Sequence, residues 1–153
     1  MVVTKMKPIS ALCKTIGYTF KNDTYLVQAL TRASYAKEQN LPYNMDSLAV
    51  LGDSVLDLVT IMDILNDGET KKSEITRRKI DEVNMTVLRK ISEKIELPSY
   101  VLWGKGEQQM KIWTNGRVSA ECFEALIGAV YLDGGIDAST TVIHNVRNGE
   151  MIF

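Results

Sequence analysis

Glu121-Cys122-Phe123-Glu124-Ala125-Leu126-Ile127-Gly128-Ala129-Val130-Tyr131-Leu132-Asp133-Gly134-Gly135 is the stretch on which the fold turns. Its apolar residues recur at helical spacing, with Phe123, Leu126, Ile127 and Val130 on one face. The other face carries Glu121 and Glu124 one turn apart, with Arg117 a turn earlier and Gly128 a turn later. A glycine in mid-helix permits close approach of a second helix. Gly134-Gly135 stops the pattern, so a helix is predicted from Val118 to Leu132, followed by a last one from Ala138 to Arg147.

A partner for this helix lies upstream. Leu48, Leu51, Val55, Leu58 and Met62 give an apolar helical pattern from about Met45 to Leu65, closed by Asn66-Asp67-Gly68. Asp46, Asp53 and Asp57 on the same helix fall within roughly 40° of one another at 100° per residue. Aspartate is a poor helix-interior residue, so a stripe of it calls for water or a cation. Two packed helices with inward carboxylates make a site for a hard cation such as Mg²⁺. Two solvated helix faces are the alternative, and periodicity alone leaves both open.

The remaining segments also read as helical. Ile9 to Ile16 is short and amphipathic between Pro8 and Gly17, and Asp23 is an N-cap candidate for a helix from Thr24 to Arg32. Lys37 to Pro42 is polar and loop-like. A single long helix is predicted from Ser73 to Ile95, with Ser73 as its cap. Pro98 and Gly104-Lys105-Gly106 interrupt the pattern, and Lys111 to Gly116 reads as a loop. Strand-like alternation is too short to build a sheet, which makes the chain all-α.

Length and composition fit one domain over residues 1–153 with its core at about 9–147. A chain of this size buries roughly 70% of its unfolded surface and needs no crosslinks to fold. Apolar content is 45% and charged content 24%, with no apolar run long enough for a membrane span. The N-terminus lacks the pattern of a secretory signal, and Cys13 and Cys122 have no metal-ligand spacing, so an intracellular protein with reduced thiols is expected. The net charge of −1 excludes nucleic-acid binding by bulk charge alone. Its distribution is uneven. Residues 44–68 carry five acidic groups and no basic one, while residues 1–43 carry six basic groups and residues 69–94 carry eight. These blocks are either solvated helix faces or an acidic centre flanked by basic arms.

The wording of the motifs adds to this reading. Leu48-Ala49-Val50-Leu51-Gly52-Asp53-Ser54-Val55-Leu56 resembles the ribonuclease III signature N-E-R-L-E-F-L-G-D-S-V-L. The stretch from Glu121 to Gly135 is similar to the family's D-A-F-E-A-L-I-G-A-I-Y-L-D-G-G. Leu102-Trp103-Gly104-Lys105-Gly106-Glu107 resembles L-L-G-K-G-E, and Leu30-Thr31-Arg32-Ala33-Ser34-Tyr35 resembles L-T-H-R-S-Y. The resemblance implies an all-α endonuclease domain of about seven helices. It implies a homodimer whose valley holds double-stranded RNA, and hydrolysis with Mg²⁺, for which Mn²⁺ can substitute. Each subunit would cut one strand, leaving short 3′ overhangs. No double-stranded-RNA-binding domain of the kind family members usually carry is expected within these residues.

The resemblance also assigns residues. Asp53 and Glu124 match catalytic carboxylates, and Asp53, Glu121 and Glu124 match metal ligands. Asp46, Glu74 and Glu107 match acidic positions near the RNA, and Arg117 matches a Dicer-type lysine near the scissile phosphate. Ala49 stands where the family carries a fourth ligand, a glutamate, and Val50 stands where it carries a phenylalanine that plugs the partner subunit. Three accounts of Ala49 stay open. Glu121 or water fills the gap, or the domain has lost catalysis and serves as an RNA-binding or heterodimer partner, or the alanine is an introduced change. Asp57 reads as a solvated or ion-paired residue, His144 as a surface residue, and Trp103 and Trp113 as core or loop anchors or stacking platforms.

Overall fold

The run Asp46–Asn66 is helical over 21 residues (α4) because its buried positions Leu48, Gly52, Val55, Leu56, Val59 and Ile64 repeat at three- and four-residue spacing. They pack on α8, Gly116–Ile152, the longest element of the computed structural model, which describes residues 7–152. Phe123, Ala125, Leu126, Ile127, Ala129 and Val130 of α8 are fully buried, and α2, α4 and α6 all lie against this helix. It is the axis of the core. Truncating Phe123, its largest buried side chain, to alanine would cost about 3–5 kcal/mol.

The other helices are α1 (Ile9–Ile16), α2 (Asp23–Ala29), α3 (Ala33–Gln39), α5 (Lys72–Glu82), α6 (Met85–Lys94) and α7 (Lys105–Met110). Short 3₁₀ turns occupy Leu97–Tyr100 and Ile112–Thr114. The all-α expectation holds among the described residues. Among the described residues the extended pairing is one isolated bridge, between Thr31 and Leu102. There Leu102 N–H donates to Leu30 at 2.8 Å and Arg32 N–H donates to Leu102 at 3.2 Å. That bridge ends α2 at Ala29, three residues short of the predicted Arg32: Leu30 N–H still donates to Leu26, but the Leu30 carbonyl and the Arg32 N–H bond to Leu102.

Four local expectations need correction. The N-cap of α2 is Asn22, whose side chain accepts from Thr24 N–H at 3.0 Å, rather than Asp23. The segment predicted as a loop from Lys37 begins inside α3, which ends at Asn40 in the left-handed conformation. The single helix predicted from Ser73 to Ile95 is two, α5 and α6. Asn84 separates them with one amide: its Nδ2 donates to Ile80 and Asp81 carbonyls at 2.9 and 3.2 Å, and its Oδ1 accepts from Val87 N–H at 3.0 Å. The same side chain terminates α5 and caps α6. Every residue of α5 is at least partly exposed, and its cap position is Lys71 rather than Ser73.

Gly134-Gly135 kinks the last helix instead of ending it in a loop. Only Gly135 departs from helical geometry, with φ 77° and ψ −164°, and the chain resumes its helix at once. Asp133, just before the kink, accepts from Tyr18 Oη at 2.5 Å and from the N–H groups of Lys21 and Asn22 at 2.8 and 2.9 Å. It thereby fastens the α1–α2 loop to α8. No helix of the described residues is long and apolar enough to cross a membrane.

Candidate functional site

The site is made by two glycines. A Cβ on Gly52 would overlap the Glu124 carbonyl, and a Cβ on Gly128 would overlap the Leu48 carbonyl. The helices α4 and α8 therefore cross antiparallel, backbone against backbone. Asp53 follows Gly52, and Glu124 lies one turn before Gly128, so their side chains meet at the mouth of the crossing. The carboxyl of Glu124 is pushed up to about 8, chiefly by burial. A hydrogen bond to Asp53 and the charges of Asp53, Glu121 and Asp57 push it the same way. The two carboxyl groups thus lie together at the mouth of the crossing, where burial and neighbouring negative charge disfavour the ionised form of Glu124.

Glu121 lies near enough to act on Glu124 through its charge, but its oxygens face elsewhere. One is 3.6 Å from Arg32 and the other 3.9 Å from Arg117. Ala49 offers no donor and packs against the core. Asp57 is ion-paired, as the sequence suggests, with Lys79 of α5 at 3.6 Å, yet its charge also reaches Glu124. Among the described residues no group of three His, Cys, Asp or Glu side chains forms a cage for a metal ion. Mg²⁺ does not require one, since it commonly binds through one or two carboxylates, with water and substrate phosphate completing the octahedron. Asp53 and Glu124 fit that mode, since two carboxylic oxygen donors converge there with Glu121 and Asp57 adding negative charge nearby.

The other sequence candidates separate. Arg117 is 82% exposed at the start of α8, where Asn115 caps the helix by accepting from Arg117 N–H at 2.9 Å. Asp46 is exposed at the start of α4. Glu74 pairs with Arg77 on the outer face of α5 at 2.8 Å. Glu107 turns inward with a side chain only 19% exposed, accepting from Arg32 at 2.8 Å and from Ser34 Oγ at 2.5 Å. Burial would raise its carboxyl, but the Arg32 and Ser34 bonds outweigh this and hold it below the usual range.

Arg32 is the residue that the sequence did not single out. Its signal lies in Leu30-Thr31-Arg32-Ala33-Ser34-Tyr35, where it stands in place of the histidine of L-T-H-R-S-Y. Trp103 is a buried core residue whose ring packs tilted against Trp113, with its indole N–H donating to the Pro98 carbonyl at 3.0 Å. His144 lies at the surface with its side chain 44% exposed and bonds Asp63 at 2.8 Å, beside Arg147.

The model of the family described as Ribonuclease-III-like matches residues 22–148, most of the chain. The chain belongs to the ribonuclease III-like family. It is 35% identical over 142 residues to a ribonuclease 3 of Onion yellows phytoplasma, covering 92% of this chain and 59% of that protein. It is likewise 35% identical over 141 residues to a ribonuclease 3 of Leptospira interrogans, covering 91% and 57%. The chain thus spans less than two thirds of the length of these relatives. It is also similar to the nuclease domain of ribonuclease III from Campylobacter jejuni, with a TM-score of 0.87 and 25% identity over 95% of this chain and all of that one. That structure is described as flexible in the region involved in dimer formation. The ribonuclease III fold expected from the motifs is therefore present, with Gly52 and Gly128, one in each signature, at its central helix crossing.

Proposed function

We propose that this chain is an endoribonuclease domain for double-stranded RNA that holds Mg²⁺, or Mn²⁺ in its place, on Asp53 and Glu124. The convergence of these two carboxyl groups at the α4–α8 crossing carries the reading. A bound divalent ion would supply an activated water and neutralise charge on the phosphate. The chain's own groups do the rest. Asp53 and Glu124 would supply the oxygen ligands that hold the ion. Arg117, 82% exposed one turn before Glu121, would pair with a backbone phosphate. Glu107 holds Arg32 beside Glu121 through its ion pair with the guanidinium.

Cutting both strands at a fixed offset needs two copies, and a two-fold dimer is the commonest solution. The exposed apolar residues of α4 support one. Val50 is 72% exposed, and Leu58, Met62 and Leu65 are each at least 40% exposed, a row that a second α4 would cover. Cys13 and Cys122 are free thiols, in keeping with a reducing intracellular setting.

The test is incubation of duplex RNA with Mg²⁺, comparing this chain with Asp53→Asn. Cleavage products with short 3′ overhangs from the parent and none from the variant are expected. A second reading is favoured by Ala49 and by the pairing of Glu121 with Arg32. On it the domain binds RNA or a partner chain without cutting. Duplex binding without cleavage, unchanged by Ala49→Glu, would decide for the second reading and against the first.

A further inference from the structure

Arg32 leaves the Thr31–Leu102 bridge with its side chain only 13% exposed, between α7 and α8. Its Nε and one terminal nitrogen fork onto Glu107, at 3.2 and 2.8 Å. The other terminal nitrogen faces Met45 Sδ at 3.6 Å and Glu121 Oε2 at 3.6 Å. The guanidinium also stands over the Trp103 ring, 5.6 Å from its centroid. Glu107 is occupied by the fork and by Ser34, so it keeps Arg32 in place while leaving one edge of the cation turned toward Glu121. Glu121 lies one helical turn from Glu124 on the same helix. A divalent ion at Asp53 and Glu124 must therefore compete with a fixed, permanently charged guanidinium for the third carboxylate.

We propose that Arg32 is a positioning residue that withholds Glu121 from the cation site and so lowers the site's affinity for divalent ions. The proposal rests on the reading that Asp53 and Glu124 hold the ion. Arginine stays charged at every working pH, so the restraint is constant rather than a pH switch. Ala49 acts in the same direction, since each departure leaves the site with less free negative charge. A dication gains by attracting more anionic oxygens, and its affinity follows ligand charge count. Freeing Glu121 therefore tightens binding, provided that no buried charge is left without its partner.

The variant that meets this condition is Arg32→Gln with Glu107→Gln. It removes a buried ion pair together, leaves no orphan charge and keeps the net charge of the neighbourhood unchanged. The measurement is titration of the whole chain with Mn²⁺ alone, read by electron paramagnetic resonance of the free ion. The double variant is expected to bind Mn²⁺ roughly tenfold more tightly than the parent. Adding Glu121→Gln should return the affinity to the parent value. Unchanged affinity in a folded double variant overturns the proposal, as does a gain that survives Glu121→Gln. Should the double variant fail to fold, Arg32→Lys replaces it. An ammonium cannot fork onto Glu107 and reach Glu121 at once, so tightening is again expected and its absence counts against the idea. Asp53→Asn separates the two levels of inference. If it binds Mn²⁺ as the parent does, the ion is not held at this crossing, and the reading of the site fails whatever Arg32 does.

Discussion

Gly52 of α4 faces the main-chain carbonyl of Glu124 in α8 so closely that a methyl group at position 52 would occupy the carbonyl's place. The carboxylates of the site are therefore brought together by backbone contact, which side-chain rotamers cannot adjust. Gly52→Ala should push the helices apart. We expect it to destabilise the fold by about 1–3 kcal/mol, the usual range for overpacking. It should also weaken Mn²⁺ binding, because Asp53 moves away from Glu124. Urea unfolding and a Mn²⁺ titration check the two effects, and a variant that is destabilised with unchanged binding would separate the crossing from the site.

Ala49→Glu restores the carboxylate that the ribonuclease III signature carries at this position. One more anionic ligand should tighten Mg²⁺ or Mn²⁺ by roughly tenfold and raise the rate of duplex cleavage. Calorimetric titration of the variant beside the parent is the measurement. Equal affinities would mean that position 49 does not reach the ion in this chain.

Val50→Phe should strengthen self-association. The larger side chain adds about 1 kcal/mol of apolar burial in each of two symmetric contacts, or roughly thirtyfold in the dimer constant. The converse change, Val50→Asp, should leave a monomer. Light scattering across a dilution series reads both, and a parent chain that is monomeric at tens of micromolar would argue for a different partner.

Asp133 contributes a pH-dependent part of stability. Burial acts to raise its carboxyl, but the Tyr18 hydroxyl and the Lys21 and Asn22 N–H groups outweigh it and hold the group below its ordinary value. The native state thus binds this proton less readily than the unfolded chain. The stabilisation is complete above the unfolded pKa of about 4 and is lost as pH falls through the lower folded value. Asp133→Asn should cost on the order of 1–2 kcal/mol at pH 7, after allowance for partial exposure. Urea melts should show that gap closing as the pH is lowered toward 2. A gap of constant size would place the effect in packing instead of charge.

The long helices α4 and α8 were legible because their apolar spacing is sustained and each carries a glycine on its packed face. The pairing of Asp53 with Glu124 was legible only through the motif, since periodicity alone left two solvated faces as an open alternative. The division at Asn84 was not legible. Residues 73–95 keep helical character on both sides, and an asparagine that ends one helix and caps the next looks like an ordinary mid-helix polar residue. Arg32 was hidden for another reason. Its burial depends on the bridge between Thr31 and Leu102, segments distant in sequence, and no local pattern announces such a pairing. Glu107 followed it inward for the same reason.

The wholly non-buried character of α5 gives the molecule a layered stability. An isolated helix of 11 residues does not hold itself together in water. This one is tied to α4 by the Lys79–Asp57 ion pair and to the residue just after α4 by the Arg78–Asp67 pair, and is joined to α6 through Asn84. Each partly exposed pair is worth about 0.2–1 kcal/mol and fades with salt. The helix should consequently open as a separate leaf while the α4–α8 core stays closed. Its amide protons would exchange orders of magnitude sooner than those of α8, and sooner still at high ionic strength. Because Lys79 hangs on that leaf and grips Asp57, each opening releases one more carboxylate at the edge of the Asp53–Glu124 crevice.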